Sequence, residues 1–455
     1  MLPWCRGLTI IKYISIFGHR LPITGYMALS EDILHFIWKY RLFALQNLCT
    51  QSGNSVRVIH AGTHNHDAGP DFLSARLVID EVAWGGNIEI HIRSSDWDRH
   101  RHHHDKAYNN VIMHVVYEHD KTVYREDGTL LETLELKQRI SASVLPKYRE
   151  FMSGMWWIPC EKQIHNVPSF HLSQWLSRLL MERFEYKISI INALLDQQRG
   201  SWEDTCYIWM ARSFGFKVNS DAFEQLVRCL PQSVIAKHMH SALAVEALFF
   251  GQAGMLEGQM FDDEYPQALQ REYAHLRRLH SLQPMNVAVW RFMRTRPGNF
   301  PTIRIAQFTA LYLRSTQLFA AITDARGTRS LKAFFDDLPI NPYWLTRYRF
   351  DRPSSPHGTQ LGESSVDTLL INAVAGIIFA YGKYIGKETY IYRAIALLED
   401  LKAENNAVLK RFSALGVRAS HAAESQALLQ MKTFYCDRKK CLDCGVGLQL
   451  IKHNE

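Results

Sequence analysis

The pattern of apolar and polar positions changes character near residue 169 of this 455-residue chain. Before it, a helical spacing at 31–50 is followed by short apolar runs separated by turn-forming Gly, Asp and Asn residues. The runs predict β-strands at 56–60, 72–79, 87–92, 111–117, 122–124 and 130–136. After it, apolar residues recur every three or four positions, as at Leu172, Leu176 and Leu179, which predicts helices. These patterns predict an α+β protein.

The same patterns divide the chain into segments. Residues 27–165 are predicted to form an N-terminal α/β domain, residues 166–430 a large all-helical domain and residues 431–455 a cysteine-rich, metal-binding tail. Met27 is the more plausible start of the protein, because a helix N-cap residue follows it closely. Residues 1–26 are therefore expected to be a dispensable extension or a misassigned start.

The composition narrows the classes of protein. Apolar residues make up 47% and charged residues 21% of the chain, which is typical of soluble globular proteins. No uninterrupted apolar run approaches 18 residues, so no membrane span is expected. The net charge of +7 permits DNA or RNA as a partner without requiring it. The chain has no Walker A motif and no dinucleotide fingerprint, so no nucleotide cofactor is expected. The chain has eight cysteines, and no secretory signal is recognised. A reducing cytoplasm and a metal site are therefore expected rather than disulfides.

Acidic residues and histidines concentrate between residues 64 and 118. Asp71 opens one predicted strand, and Glu89 and His91 lie on one face of the next strand. The two acids are 18 positions apart, which suffices for two strands and a turn. Two carboxylates of this kind are suited to Mg²⁺ or Mn²⁺, and a histidine beside them to positioning a water or acting as general base. The prediction is a catalytic metal site, although an Asp next to Pro is often only a turn residue and a Glu on a half-buried sheet is often only solvated.

Further polar residues nearby favour a metal or phosphate site. The additional candidates are Asn65, Asp67, Ser95, Asp96, His100, His102 and Asp105. Histidines at this spacing could form a separate Zn²⁺ or Mn²⁺ site centred on His100, His102 and Asp105, or a solvated surface loop. His114 is predicted to be a core histidine.

The C-terminal tail contains a C-x4-C-x2-C cluster formed by Cys436, Cys441 and Cys444. Three thiolates need a fourth ligand, and we assign Cys160 to that place. Four thiolates bind Zn²⁺ or an iron–sulfur cluster, and the spacing leaves both open.

A weaker pattern lies in the helical region. Arg347 and Arg349 alternate with aromatic residues, which suits stacking on single-stranded nucleic acid, and Arg304 could add a phosphate contact. The alternative is that the aromatic residues are core and the arginines extend to solvent.

Several strings in the chain resemble a known family. Asn65 to Phe72, Gly86 to His91 and Ser94 to Trp97 look like an uncharacterised bacterial family catalogued as a domain of unknown function, and the likeness extends over about residues 30–450. More distantly, Pro70-Asp71 and Glu89-x-His91 resemble the PD-(D/E)XK nucleases, which usually have Lys at the position of His91.

The nuclease resemblance implies a restriction-endonuclease-like N-terminal domain that cleaves DNA or RNA with a divalent metal. Some nucleases of that superfamily also clamp their fold with an iron–sulfur cluster built partly from C-terminal cysteines. The leading prediction is a divalent-metal-dependent phosphodiesterase or nuclease. The alternatives are a non-enzymatic, metal-stabilised module that binds nucleic acid or protein, and a Zn- or Mn-dependent hydrolase of a small substrate.

Overall fold

The computed structural model describes residues 29–293 and 295–452, so the prediction for residues 1–26 lies outside the described residues. The described chain divides into a sheet unit, residues 29–155 with 451–452, and a helical unit, residues 156–450. The predicted α+β class is confirmed. Residues 156–165, which the sequence assigns to the sheet domain, belong to the helical unit. The C-terminal cysteines predicted to form a separate tail also lie in that unit.

The sheet unit is built on a mixed sheet in the order β1-β3-β4-β5-β6, with the short β2 also paired to β3. Strands β1, β3 and β4 are antiparallel neighbours, whereas β4, β5 and β6 run parallel. Its elements are α1 (Glu31–Tyr40), β1 (Val56–His60), β2 (Thr63–His64), β3 (Phe72–Ile79), β4 (Val82–Arg93), α2 (Asp96–Arg99), β5 (Val111–Glu118), β6 (Thr133–Glu135) and α3 (Val144–Ser153).

Several predicted elements of this unit differ from the structure. Strand β4 begins at Val82 instead of residue 87, and β6 covers only part of the run at 130–136. Helix α1 ends at Tyr40 instead of residue 50, because Arg41 adopts a left-handed conformation (φ 54°) and the chain then forms a β-bridge from Phe43 to Ile140. The run at 122–124 is not a strand; only a single bridge joins Tyr124 to Leu130. After Tyr40 the local pattern was overridden by pairing with a distant segment.

Close packing fixes the position of the centre of the sheet. Gly86 on β4 lies so close to β5 that a Cβ atom there would be 2.4 Å from Ile112 Cγ2. Trp97 is 1% exposed and packs with Val111, Val123 and Leu131 beneath the loop that follows β4. This buried apolar cluster therefore supports the loop from below.

The helical unit contains the predicted array of helices but is not all-helical, because Arg347–Arg349 (β7) and Arg352–Pro353 (β8) form a short hairpin. π-helical turns occur at Leu370–Val374 and Met431–Cys436. The helices are α4 (Ser169–Gln197), α5 (Trp202–Phe214), α6 (Phe216–Arg228), α7 (Gln232–Ala236), α8 (Ala242–Gln252), α9 (Glu264–His280), α10 (Pro301–Arg314), α11 (Leu318–Asp324), α12 (Gly327–Ala333), α13 (Glu363–Leu369), α14 (Ala375–Tyr384), α15 (Glu388–Asp400), α16 (Ala407–Ala414), α17 (Ala422–Gln430) and α18 (Gly445–Lys452).

One helical stretch of the described chain, Glu363–Tyr384, is long and apolar enough to cross a membrane. Its most apolar window is 72% buried inside the fold. Apolar residues that are covered by protein on most sides form a core helix, so this stretch is the interior of the helical unit rather than a membrane anchor.

Candidate metal centre

Glu89 and His91 lie on the same face of β4, as the strand alternation predicts. The parallel ladder places His114 of β5 directly across from Glu89. His91 Nδ1 is 2.9 Å from His114 Nε2, a hydrogen bond between two buried rings. The sheet thus supplies a carboxylate and two imidazoles at adjacent positions.

The loop after β4 adds two more imidazoles. Asp120 accepts hydrogen bonds from the hydroxyls of Ser94 (3.0 Å) and Ser95 (2.7 Å), which anchors the start of the loop. The loop then turns back over the sheet and brings His100 Nδ1 to 3.1 Å from His91 Nε2. His102 stacks between the rings of His91 (5.2 Å) and Tyr108 (3.9 Å). Packing therefore holds this last histidine in place.

The resulting cluster has the donor set of a metal site. Potential ligand atoms of His91, His100 and His102 all lie within 4.8 Å of one another. Glu89 Oε1 is 3.2 Å from His102 Nε2 and 3.4 Å from His91 Nε2. His102 Nε2 is buried and has no well-aligned hydrogen-bond partner among the described residues. Three imidazoles and a carboxylate suit Zn²⁺, Mn²⁺ or Fe²⁺ better than Mg²⁺, which prefers oxygen ligands.

Burial favours the uncharged form of His91 and of His114 behind it. It lowers the pKa of His91, and the neighbouring histidines lower it further. Burial also lowers the pKa of His114 to about 3. A neutral imidazole is the form that binds a metal, and the bond from His114 orients the ring of His91. His91 therefore fits the role of metal ligand better than the predicted role of general base.

Asp71 lies beside the centre, and one of its carboxylate oxygens is bonded to other groups. Its backbone N–H donates to Glu89 Oε2 (3.2 Å), and its Oδ2 accepts the backbone N–H of Ile90 (2.8 Å). The same Oδ2 atom is 3.2 Å from His35 Nε2 of α1. Asp71 and Glu89 are thus neighbours, as predicted, but each carboxylate has its own imidazole partner.

The sequence analysis missed the contribution of α1. Burial alone would lower the pKa of His35, but the Asp71 carboxylate outweighs it and raises the pKa. Burial raises the pKa of Glu31, with Asp71 adding to the effect. Glu31 and His35 are four residues apart on one helical face, and this spacing was the only signal in the sequence. The result is a histidine–carboxylate pair beside the histidine centre.

The other polar candidates of the sheet unit stabilise local structure. The Asn65 side chain bonds to the backbone of its own turn, and Asp67 is exposed. Ser95 binds Asp120, Asp96 accepts the N–H of Arg93 (3.1 Å), and Asp105 accepts the N–H of Ala107 (2.9 Å). The histidine centre is therefore completed by Glu89 and His91 rather than by Asp105.

The structure brings the four predicted cysteine ligands together within the helical unit. Cys160, Cys436, Cys441 and Cys444 are each at most 9% exposed. Burial raises the pKa of the Cys160 thiol, and Cys444 and Cys441 raise it further. The pKa of Cys436 is raised by burial and by the other three sulfurs. No described cysteine forms a disulfide.

The arginines proposed for nucleic acid are engaged within the protein. Arg304 is 4% exposed, and its guanidinium donates to the side chains of Gln307, Asn299 and Ser365. Arg347 forms two hydrogen bonds to Asp263, at 2.6 and 2.9 Å. The Arg349 guanidinium lies over the rings of Phe292 and Phe300. Arg304 has no surface to offer a phosphate, and the core alternative describes this region better.

A family model described as a protein of unknown function (DUF2851) matches residues 31–407. The chain belongs to this family. No curated protein and no solved structure matches the chain. The matched range contains the whole histidine centre and Cys160, but it ends before Cys436, so it is shorter than the expected likeness to about residue 450. The nuclease resemblance stays a prediction.

Proposed function

We propose that the sheet unit is a divalent-metal-dependent phosphodiester hydrolase that acts on nucleic acid in the cytoplasm. The observation that carries the proposal is the convergence of three imidazoles and the buried Glu89 on one point of the sheet. His91, His100 and His102 would hold the metal together with Glu89. A bound metal would neutralise phosphate charge and lower the pKa of a bound water.

The surroundings of the centre make the metal essential for an anionic substrate. Residues 29–155 contain 14 Lys and Arg but 17 Asp and Glu, so this part of the chain does not attract phosphate by its own charge. The positive charge at the reaction centre must therefore come from the ion. The centre is open to solvent on the side of His100, which is exposed.

We assign proton transfer to the pair of His35 and Asp71. The carboxylate lies 3.2 Å from the imidazole and favours its protonated form, which suits donation of a proton to a leaving group. Asp71 in turn donates its backbone N–H to Glu89, so the pair is attached to the metal cluster. His35→Gln is expected to lower hydrolysis while leaving metal binding intact.

A second candidate is a Zn- or Mn-dependent hydrolase of a small, uncharged substrate. The nitrogen-rich ligand set and the acidic balance of the sheet unit favour it. Its substrate would be an ester or amide rather than a phosphodiester.

One experiment separates these functions. The full chain is stripped of metal and reloaded with Mn²⁺, Zn²⁺ or Mg²⁺. It is then incubated with labelled single- and double-stranded DNA, RNA, bis(p-nitrophenyl) phosphate and a p-nitrophenyl carboxylic ester. We expect phosphodiester cleavage with Mn²⁺ or Zn²⁺ and little with Mg²⁺. His102→Ala should lower the cleavage rate more than ~100-fold, because changes to residues that only orient a metal ligand already cost ~10–100-fold.

His103→Ala is the matched control, since His103 is adjacent in the chain but contacts Asp98 outside the centre. Its activity should equal that of the wild type. Cleavage of the carboxylic ester alone would select the second candidate. Metal binding that depends on His102 without any hydrolysis would identify a non-enzymatic module and contradict the proposal.

A further inference from the structure

The four cysteines of the helical unit form a second, separate cluster of metal-ligating groups. Cys160 lies in the loop before α4, and Cys436 ends the π-helical turn after α17. Cys441 begins a 3-10 turn, and Cys444 follows it directly before α18. All four side chains are buried. Burying four thiolates at one place is costly unless a cation compensates them.

Zinc and iron–sulfur centres differ in the spacing of their thiolates. In a zinc site with four cysteines, the sulfurs lie about 3.8 Å apart, since four bonds of ~2.3 Å meet at tetrahedral angles. An iron–sulfur cluster places several atoms between its thiolates and so needs a wider spacing.

Donor groups surround the Cys444 sulfur. The backbone N–H groups of Val446 and Gly447 and the indole N–H of Trp175 all lower the pKa of this thiol, although burial raises it to about 11. The Trp175 indole N–H is buried and has no well-aligned hydrogen-bond partner among the described residues. A buried donor without an acceptor is rare in proteins, and an anionic sulfur at this place would satisfy it.

The backbone around the sulfurs is tightly packed. A Cβ atom on Gly445 would lie 2.7 Å from the Trp175 ring, and one on Gly447 would lie 2.1 Å from the carbonyl oxygen of Cys441. Only glycine fits at these two places. The turn that carries Cys441 and Cys444 is therefore pressed against α4 and held in one conformation.

We propose that Cys160, Cys436, Cys441 and Cys444 bind an iron–sulfur cluster that closes the helical unit on itself. The cluster joins the loop before α4 to the C-terminal turns, which are more than 270 residues further along the chain. Such a link stabilises the fold by bringing distant segments together, and the Trp175 N–H donates to a sulfur of the site.

The test uses the full chain purified without oxygen. We expect iron and acid-labile sulfide in equal amounts, and a broad visible absorption that reduction bleaches. Cys160→Ala should lose the iron, the sulfide and the absorption. Cys206→Ala removes a buried thiol of the same unit outside the cluster and should retain all three.

Other results would overturn the proposal. One zinc per chain without sulfide would assign a zinc site. Wild-type protein that contains neither metal would show that these cysteines bind no metal centre. Because Cys160→Ala could fail to fold, Trp175→Phe gives an independent measurement. It should keep the iron but lower the reduction potential, since the loss of an N–H donor to sulfur destabilises the reduced cluster. An unchanged potential would contradict the assigned donor.

Discussion

The two clusters of metal-ligating residues differ in exposure and in chemistry. The histidine centre of the sheet unit combines nitrogen and oxygen donors, and His100 leaves one side of it open to solvent. The cysteine cluster of the helical unit has only sulfur donors, and all four are buried. Metal sites with an open coordination position are typical of catalysis, whereas closed sites with four protein ligands are typical of structure. Our proposals accordingly place catalysis at the histidine centre and stabilisation at the cysteine cluster.

The largest difference is expected on chelation. EDTA should remove the metal from the solvent-accessible histidine centre and lower hydrolysis more than ~100-fold, because both the Lewis acid and the activated water are lost. The iron content and the visible absorption of the cysteine cluster should be unchanged under the same treatment. Adding Mn²⁺ or Zn²⁺ should restore activity. Loss of iron at the same EDTA concentration would show that both sites are equally accessible and would contradict the proposed difference between an open and a closed site.

A smaller effect is expected from the residue behind the histidine centre. His114→Asn removes the ring that bonds to His91 Nδ1, so the metal affinity should fall ~10–100-fold. Isothermal titration of metal-free protein with Zn²⁺ measures this change. His104→Asn changes an exposed histidine of the loop and serves as the control, with unchanged affinity. Equal affinities for the two variants would rule out an orienting role for His114.

An added methyl group in the turn of the cysteine cluster should lower the stability of the protein. Gly447→Ala places a Cβ atom against the backbone oxygen of Cys441, which cannot move without shifting the turn. We expect a loss of about 1–3 kcal/mol in the free energy of unfolding. Urea unfolding followed by visible absorption measures it. Gly358→Ala has nothing within 4 Å of the new Cβ atom and should be close to neutral. Similar results for both glycines would mean that the turn is loosely packed.

The last expected difference is a pH dependence of the metal-free protein. Burial lowers the pKa of His114 to about 3 in the folded state, whereas an unfolded histidine titrates near 6.5. Between these values only the unfolded state binds the proton. Stability should therefore fall with decreasing pH by about 1.4 kcal/mol per unit below pH ~6.5 for this histidine. Urea unfolding at several pH values should give a shallower dependence for His114→Asn, and identical slopes would exclude the effect.

The two units also differ in the sign of their net charge. The helical unit, residues 156–450, contains 34 Lys and Arg against 27 Asp and Glu, the opposite balance from the sheet unit. The arginines singled out in the sequence are nevertheless bonded to protein groups. A basic composition therefore did not identify a nucleic-acid surface, because charge counts do not show which guanidinium groups have protein partners.

The sequence by itself determined features that lie within a single strand or a single segment. Strand alternation placed Glu89 and His91 on one face, and the cysteine spacing identified the C-terminal cluster. The tertiary structure alone decided that His100, His102 and His114 meet His91, and that His35 pairs with Asp71. Periodicity fixes side-chain directions within a strand or helix, whereas the contacts between elements depend on parallel strand pairing and helix packing between distant residues.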